Sequence, residues 1–179
     1  MKDISYRVAL GGIVSALCLV CMFMAGIMPA LYIVLPMFAG VLLMIIAAEV
    51  SISWAVLTYI AVSLLSLIIC ADKEASLLFI MLFGHYPLLR LYIQRIRRKT
   101  LRFIIKLIVF NTCLISYYYV TVVILGIPSI DESFGDFGRA GIIAALVVCN
   151  VILFFQDFNL GHLHTYYLRK LRPIFKRKR

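Results

Sequence analysis

Three side chains that could hydrogen-bond or titrate fall at one depth of the chain's apolar stretches: His85, Asn111 and Asn150. Each lies about eight to eleven residues into its stretch, which at ~1.5 Å per residue is near the middle of a ~30 Å hydrocarbon layer. A polar group facing lipid at that depth is costly, so all three are expected to face other helices. Two uses fit them. They could form a ligand-contact layer, or they could hold helices together through interhelical hydrogen bonds worth ~1 kcal/mol each. Tyr117, Tyr118 and Tyr119 follow in the outer half of the stretch that carries Asn111. Successive helical residues step about 100°, so three tyrosines in a row cannot all join an aromatic belt. At least one is expected to point inward, and any ligand site is expected in this outer half, with Tyr117 and Tyr118 as contacts.

Other combinations point away from catalysis. Cys18-Leu-Val-Cys21 has redox or metal spacing, but no second Cys or His pair accompanies it. The five cysteines all lie in or at the ends of apolar stretches and read as small apolar residues. His162 and His164, two residues apart, take different faces of a helix and make a poor metal pair. Glu49 and Asp157 stand at predicted inner helix ends, where an acid is a helix-end group more often than a catalyst. There is no HExxH, no GxSxG and no phosphate-cradling glycine loop. The expectation is therefore a non-enzyme with no cofactor and no metal. A lipid-directed enzyme would have to rest on His85.

The elements that position these residues follow from composition. The chain has 179 residues, 64% of them hydrophobic, and a mean hydropathy of +1.06. A soluble domain of this length has too little interior to hide so much apolar surface. The reading is an all-α polytopic membrane protein with about six spans near 8–28, 30–48, 51–70, 76–93, 103–126 and 139–155. Pro36 and Gly40 in the second span predict a kink or a close approach to a neighbour, and Pro87 predicts a kink or break in the fourth. The 49–51 connection is short enough to make spans two and three an antiparallel hairpin. From Asp157 the chain is expected to run on as a basic amphipathic tail, helical to about Leu171.

The net charge of +10 is unevenly spread. With both termini cytoplasmic, 16 of the 18 Lys and Arg lie inside, and Lys73 and Arg139 are the two outside. Five of the eight acids lie outside: Asp72, Glu74, Asp131, Glu132 and Asp136. The basic runs at 95–106 and 169–179 flank apolar spans, so they read as topology signals and not as nucleic-acid contacts. The lipid bilayer is the expected partner, in the cell membrane.

Span one carries Gly12-x-x-x-Ala16, with Gly11-x-x-x-Ser15 beside it. Small residues at this spacing let a second helix approach closely, from the same bundle or from a partner. In size, span count, inside termini, this small-residue face and the Pro36…Gly40 pattern, the chain resembles a substrate-binding S-component of the energy-coupling-factor transporters. It also resembles small bacterial six-span proteins with a Gly-aromatic-Tyr-Pro element like Gly84-His-Tyr-Pro87. The first resemblance implies a vitamin-like small molecule bound near the outer face, by Tyr117 or Tyr118, Asn150 and the 72–74 and 131–137 loops. It implies docking through Gly12 and Ala16 onto a membrane coupling subunit that carries ATPase subunits. The alternative is a structural or assembly protein with no ligand of its own.

Overall fold

A computed structural model describes residues 4–70, 72–124, 126 and 138–171. The helices are α1 (Ile4–Ile27), α2 (Val34–Glu49), α3 (Ile52–Ile69), α4 (Lys73–Leu78), α5 (Tyr86–Ile93), α6 (Lys99–Tyr119) and α7 (Gly138–Tyr166). A π-helical turn over Phe79–Phe83 joins α4 to α5, so these two are halves of one span. Further π turns extend α6 over Val120–Ile124 and α7 over Tyr167–Leu171. Among the described residues, five helical stretches are long and apolar enough to cross a membrane, and α2 is a shorter apolar helix. The chain is an all-α polytopic bundle, as the composition requires.

Local chemistry sets where these helices start. Ser51 opens α3, its hydroxyl accepting from the Trp54 amide at 3.3 Å. Asp72 opens α4 by accepting from the amides of Glu74 and Ala75 at 2.9 and 3.2 Å. Such caps satisfy amide groups that have no partner inside the helix. Lys73 works in the other direction. Its ammonium donates to the carbonyls of Leu67 and Cys70 at 2.6 and 2.8 Å, closing the end of α3. One of the two cations assigned to the acidic side is therefore a helix cap.

The prolines behave differently from each other. Pro36 is the third residue of α2, where a missing N–H removes no intrahelical bond, so it gives no kink. The preceding 3-10 turn at Pro29–Leu31 delays the start of α2 to Val34, later than the residue 30 expected. Pro87 is the second residue of α5 and marks a true break. Ahead of it, the Gly84 amide donates to the Phe79 carbonyl at 2.6 Å, the five-residue step of a π turn. The Ile80 carbonyl accepts from the Tyr59 hydroxyl at 2.8 Å. Gly84 permits this arrangement, because a Cβ there would lie 2.6 Å from the Tyr59 ring.

The broken span is the centre of the bundle. In its apolar window 67% of residues are buried, against 6% for Lys99–Val123. Gly40 lets α2 pack directly on it, since a Cβ at that position would overlap the Phe83 carbonyl oxygen. Two hydrophobic clusters result. One joins α1, α2, α3 and α4 around Cys18, Met22, Leu43 and Phe79. The other joins the central span to α6 and α7 around Tyr86, Phe110, Leu153 and Leu160. Helix α7 runs unbroken through Asp157 to Tyr166, so Asp157 sits inside a long helix and does not begin a separate surface segment. The expected 131–137 loop and the basic residues beyond 171 lie outside the described residues.

Candidate functional site

The strongest concentration of chemistry lies on the side of the bundle that carries the 94–98 connection. Asp157 is buried there on a stripe of α7 that also holds Leu153, Gln156 and Leu160, the i, i+3, i+4, i+7 spacing of a helix's inward face. Its carboxylate collects donors from two other helices, α5 and α6. The Tyr86 hydroxyl donates to Oδ1 at 2.6 Å, and Arg90 Nε donates to the same oxygen at 2.8 Å. The Lys106 ammonium donates to Oδ2. The side chains of Arg90, Lys106 and Asp157 are 6, 12 and 11% exposed. One carboxylate thus ties α5, α6 and α7 together.

The fold shapes itself around Arg90. Gly161 lies one helical turn beyond Asp157, and a Cβ there would stand 2.7 Å from the guanidinium Nη2. The guanidinium therefore rests directly on the backbone of α7. With its amide oxygen turned inward, Gln94 accepts from Nη1 and Nη2 at 2.6 and 2.5 Å. Gln94 is itself exposed, so the cluster reaches the surface through it. Bonds of this kind, with ionised partners, are stronger than neutral ones.

This cluster is not apparent from the local sequence. There Arg90 reads as a topology-setting cation, Lys106 as part of the basic run at 95–106, and Asp157 as a helix-end group. The signal was present nonetheless. Arg90 and Asp157 each fall inside an apolar helix, and an ionisable residue at such a position marks a functional site by default.

The residues singled out from the sequence divide into several groups. Asn111 and Asn150 meet: each donates its amide to the other's oxygen at 3.3 Å. Each also donates to a carbonyl one turn back, Leu107 at 2.8 Å and Leu146 at 2.9 Å. His85 turns to other partners. Its Nδ1 lies 3.2 Å from the Ile80 carbonyl and its Nε2 lies 3.3 Å from Cys113 Sγ. The expected mid-depth layer is thus two pairs with different partners. Tyr117 is half-buried against the second hydrophobic cluster, while Tyr118 is 39% exposed. Inward pointing therefore falls to Tyr117. At the acidic end, the Tyr32 hydroxyl donates to Glu74 Oε2 at 2.9 Å, a pair the sequence did not suggest.

Gly12 and Ala16 face away from the bundle. Both are exposed, and a Cβ on Gly12 would meet nothing within 4 Å. Gly11 is the glycine that faces a neighbour, with Thr58 Oγ1 3.8 Å from its would-be Cβ. Internal packing thus accounts for Gly11 and leaves Gly12 and Ala16 without a role inside the bundle. Compared with protein-family models, curated proteins and solved structures, the chain matches none of them.

Proposed function

We propose that this chain is the small-molecule-binding membrane subunit of an uptake transporter of the energy-coupling-factor type. In this reading both termini are cytoplasmic, the acidic end faces out, and α1 docks on a membrane coupling subunit that carries ATPase subunits. The observation that carries it is the outward face of α1. Lipid gains little from contact with Gly12 and Ala16, whereas small residues at this spacing allow a partner helix to approach backbone to backbone. The ligand, a vitamin-like small molecule, lies toward the outer ends of α6 and α7, near Tyr117, with the 72–74 segment over it. The role is binding, not catalysis.

The test is affinity purification from native membranes. The wild-type chain is expected to bring down a coupling subunit with its ATPases, together with a bound small molecule visible by native mass spectrometry. Gly12→Leu is expected to lose the partner without loss of stability, because the position is exposed and a Cβ there meets nothing within 4 Å. Recovery of neither partner nor ligand with the wild-type chain would end this reading.

One observation favours a second reading, a structural membrane protein without a ligand. Asn111 and Asn150 direct their amides at each other and at their own helices, as helix-fastening groups do. Purification with no small molecule, but with a stable protein partner, is its expected result.

A further inference from the structure

The charged cluster at Asp157 holds two cations and one anion. Arg90 and Lys106 both pair with Asp157, and among the described residues no second carboxylate bridges either of them. The remaining partner of Arg90 is the neutral amide of Gln94. His164, on the same helix as Asp157, lies within electrostatic reach of Arg90 and adds no negative charge. The cluster therefore carries one uncompensated positive charge in a largely apolar bundle. A buried charge is retained when it is paired, and an unpaired one is expelled or neutralised.

Hydrogen-bonding capacity points the same way. An ammonium has three donors and a guanidinium five. Lys106 uses one of its three on Asp157. Gln156, next to Asp157 on the inward face of α7, is 1% exposed, and neither atom of its amide has a hydrogen-bond partner. Unfilled donors and net positive charge together describe a site short of one acceptor-rich anion. Pairing with Asp157 orients both largely buried cations, and oriented cationic donors are what a tetrahedral oxyanion needs from its binding groups.

We propose that Arg90 and Lys106 form a phosphate-binding site beside Asp157, reached from the end of the bundle where Gln94 is exposed. The phosphate comes either from the headgroup of an anionic lipid in the adjoining leaflet or from solution. This proposal is independent of the transporter reading, because it needs neither an outer-face ligand nor a coupling subunit.

The experiment uses the full chain in neutral detergent, with thermal unfolding followed by the exposure of its buried cysteines. Phosphatidylglycerol and inorganic phosphate are titrated separately, with phosphatidylcholine as the lipid control. Saturable stabilisation by at least one of the two phosphate probes, absent with phosphatidylcholine, is expected for the wild type. The probe that acts identifies the source. Lys106→Gln is expected to weaken the apparent affinity about tenfold or more, the scale of one charge-assisted contact. That variant keeps the neutral Arg90–Asp157 pair and so should fold. Lys106→Arg is expected to restore binding, and Lys99→Gln, which removes an exposed cation outside the cluster, is expected to leave it within about twofold. Asp157→Asn, where it folds, is expected to bind phosphate more tightly, the opposite sign to Lys106→Gln. Absence of stabilisation by both phosphate probes, or equal effects of Lys106→Gln and Lys99→Gln, would overturn the proposal.

Discussion

Helices α6 and α7 touch through two polar crossings of opposite character. Near mid-span, Asn111 and Asn150 form a neutral pair that is half-exposed and satisfied by itself. Two turns along, Lys106 and Asp157 form a charged contact that is buried and drawn into a larger cluster with Tyr86 and Arg90. Phe154, between Asn150 and Asp157 on α7, stacks on Phe103 with centroids 5.0 Å apart and meets Phe110 edge-on at 5.2 Å. The neutral pair can be lost without stranding a charge, since each amide still reaches its own helix. The charged crossing has no such fallback. Removing the carboxylate leaves two cations facing each other out of water. The same seam therefore holds one fastening that is optional and one that the inner packing is built around.

The largest effect should come from Asp157→Ala. It strands Arg90 and Lys106 together, and loss of one partner from a buried ion pair costs about 3–5 kcal/mol. The expected outcome is a chain that unfolds in detergent well before the wild type, with α5, α6 and α7 losing protection from hydrogen exchange first. A shift no larger than that of an asparagine variant at the mid-span crossing would erase the difference between the two crossings.

Tyr86→Phe asks how much of the charged crossing is hydrogen bonding alone. The ring keeps its place in the core, 4.7 Å from the Phe110 ring, and only the hydroxyl on Asp157 goes. A hydrogen bond to a charged group contributes about 1.5–3 kcal/mol. The variant is therefore expected to fall between Asp157→Ala and wild type in unfolding experiments, with an unchanged fold by circular dichroism.

How much of this could be read beforehand follows the same division. The spans were legible because a helix in lipid needs an unbroken apolar run, and no tertiary partner can substitute for one. Asn111 and Asn150 were legible because depth follows from counting residues, and residues at equal depth on adjacent spans can meet. The break at Pro87 was legible from its missing amide, but the π turn ahead of it was not, since that depends on the Tyr59 ring and hydroxyl reaching in from α3. The Asp157 cluster was hidden by its surroundings. Arg90 lies a few residues before the basic 95–106 run and Lys106 ends it, where charge reads as a topology signal, and the pairings that set the two apart span 67 and 51 residues. Gly161 gave no local signal either, because its purpose is to make room for an arginine on another helix.

The smallest effect should come from the neutral crossing. Asn111→Ala and Asn150→Ala each remove the mutual bond while leaving the partner its bond to its own helix. Interhelical hydrogen bonds between membrane helices average about 0.6 kcal/mol in double-mutant cycles. The two single variants and the double variant are therefore expected to give nearly the same destabilisation, with a coupling energy near that value. The result matters beyond its size. If these residues instead contact a ligand, the same cycle in the presence of whatever small molecule purifies with the chain would show coupling well above about 1 kcal/mol, because both amides would then be bonded through a shared third party. A coupling unchanged by ligand assigns the mid-span pair to fastening and leaves the buried charges at Asp157 as the part of the seam built for something else.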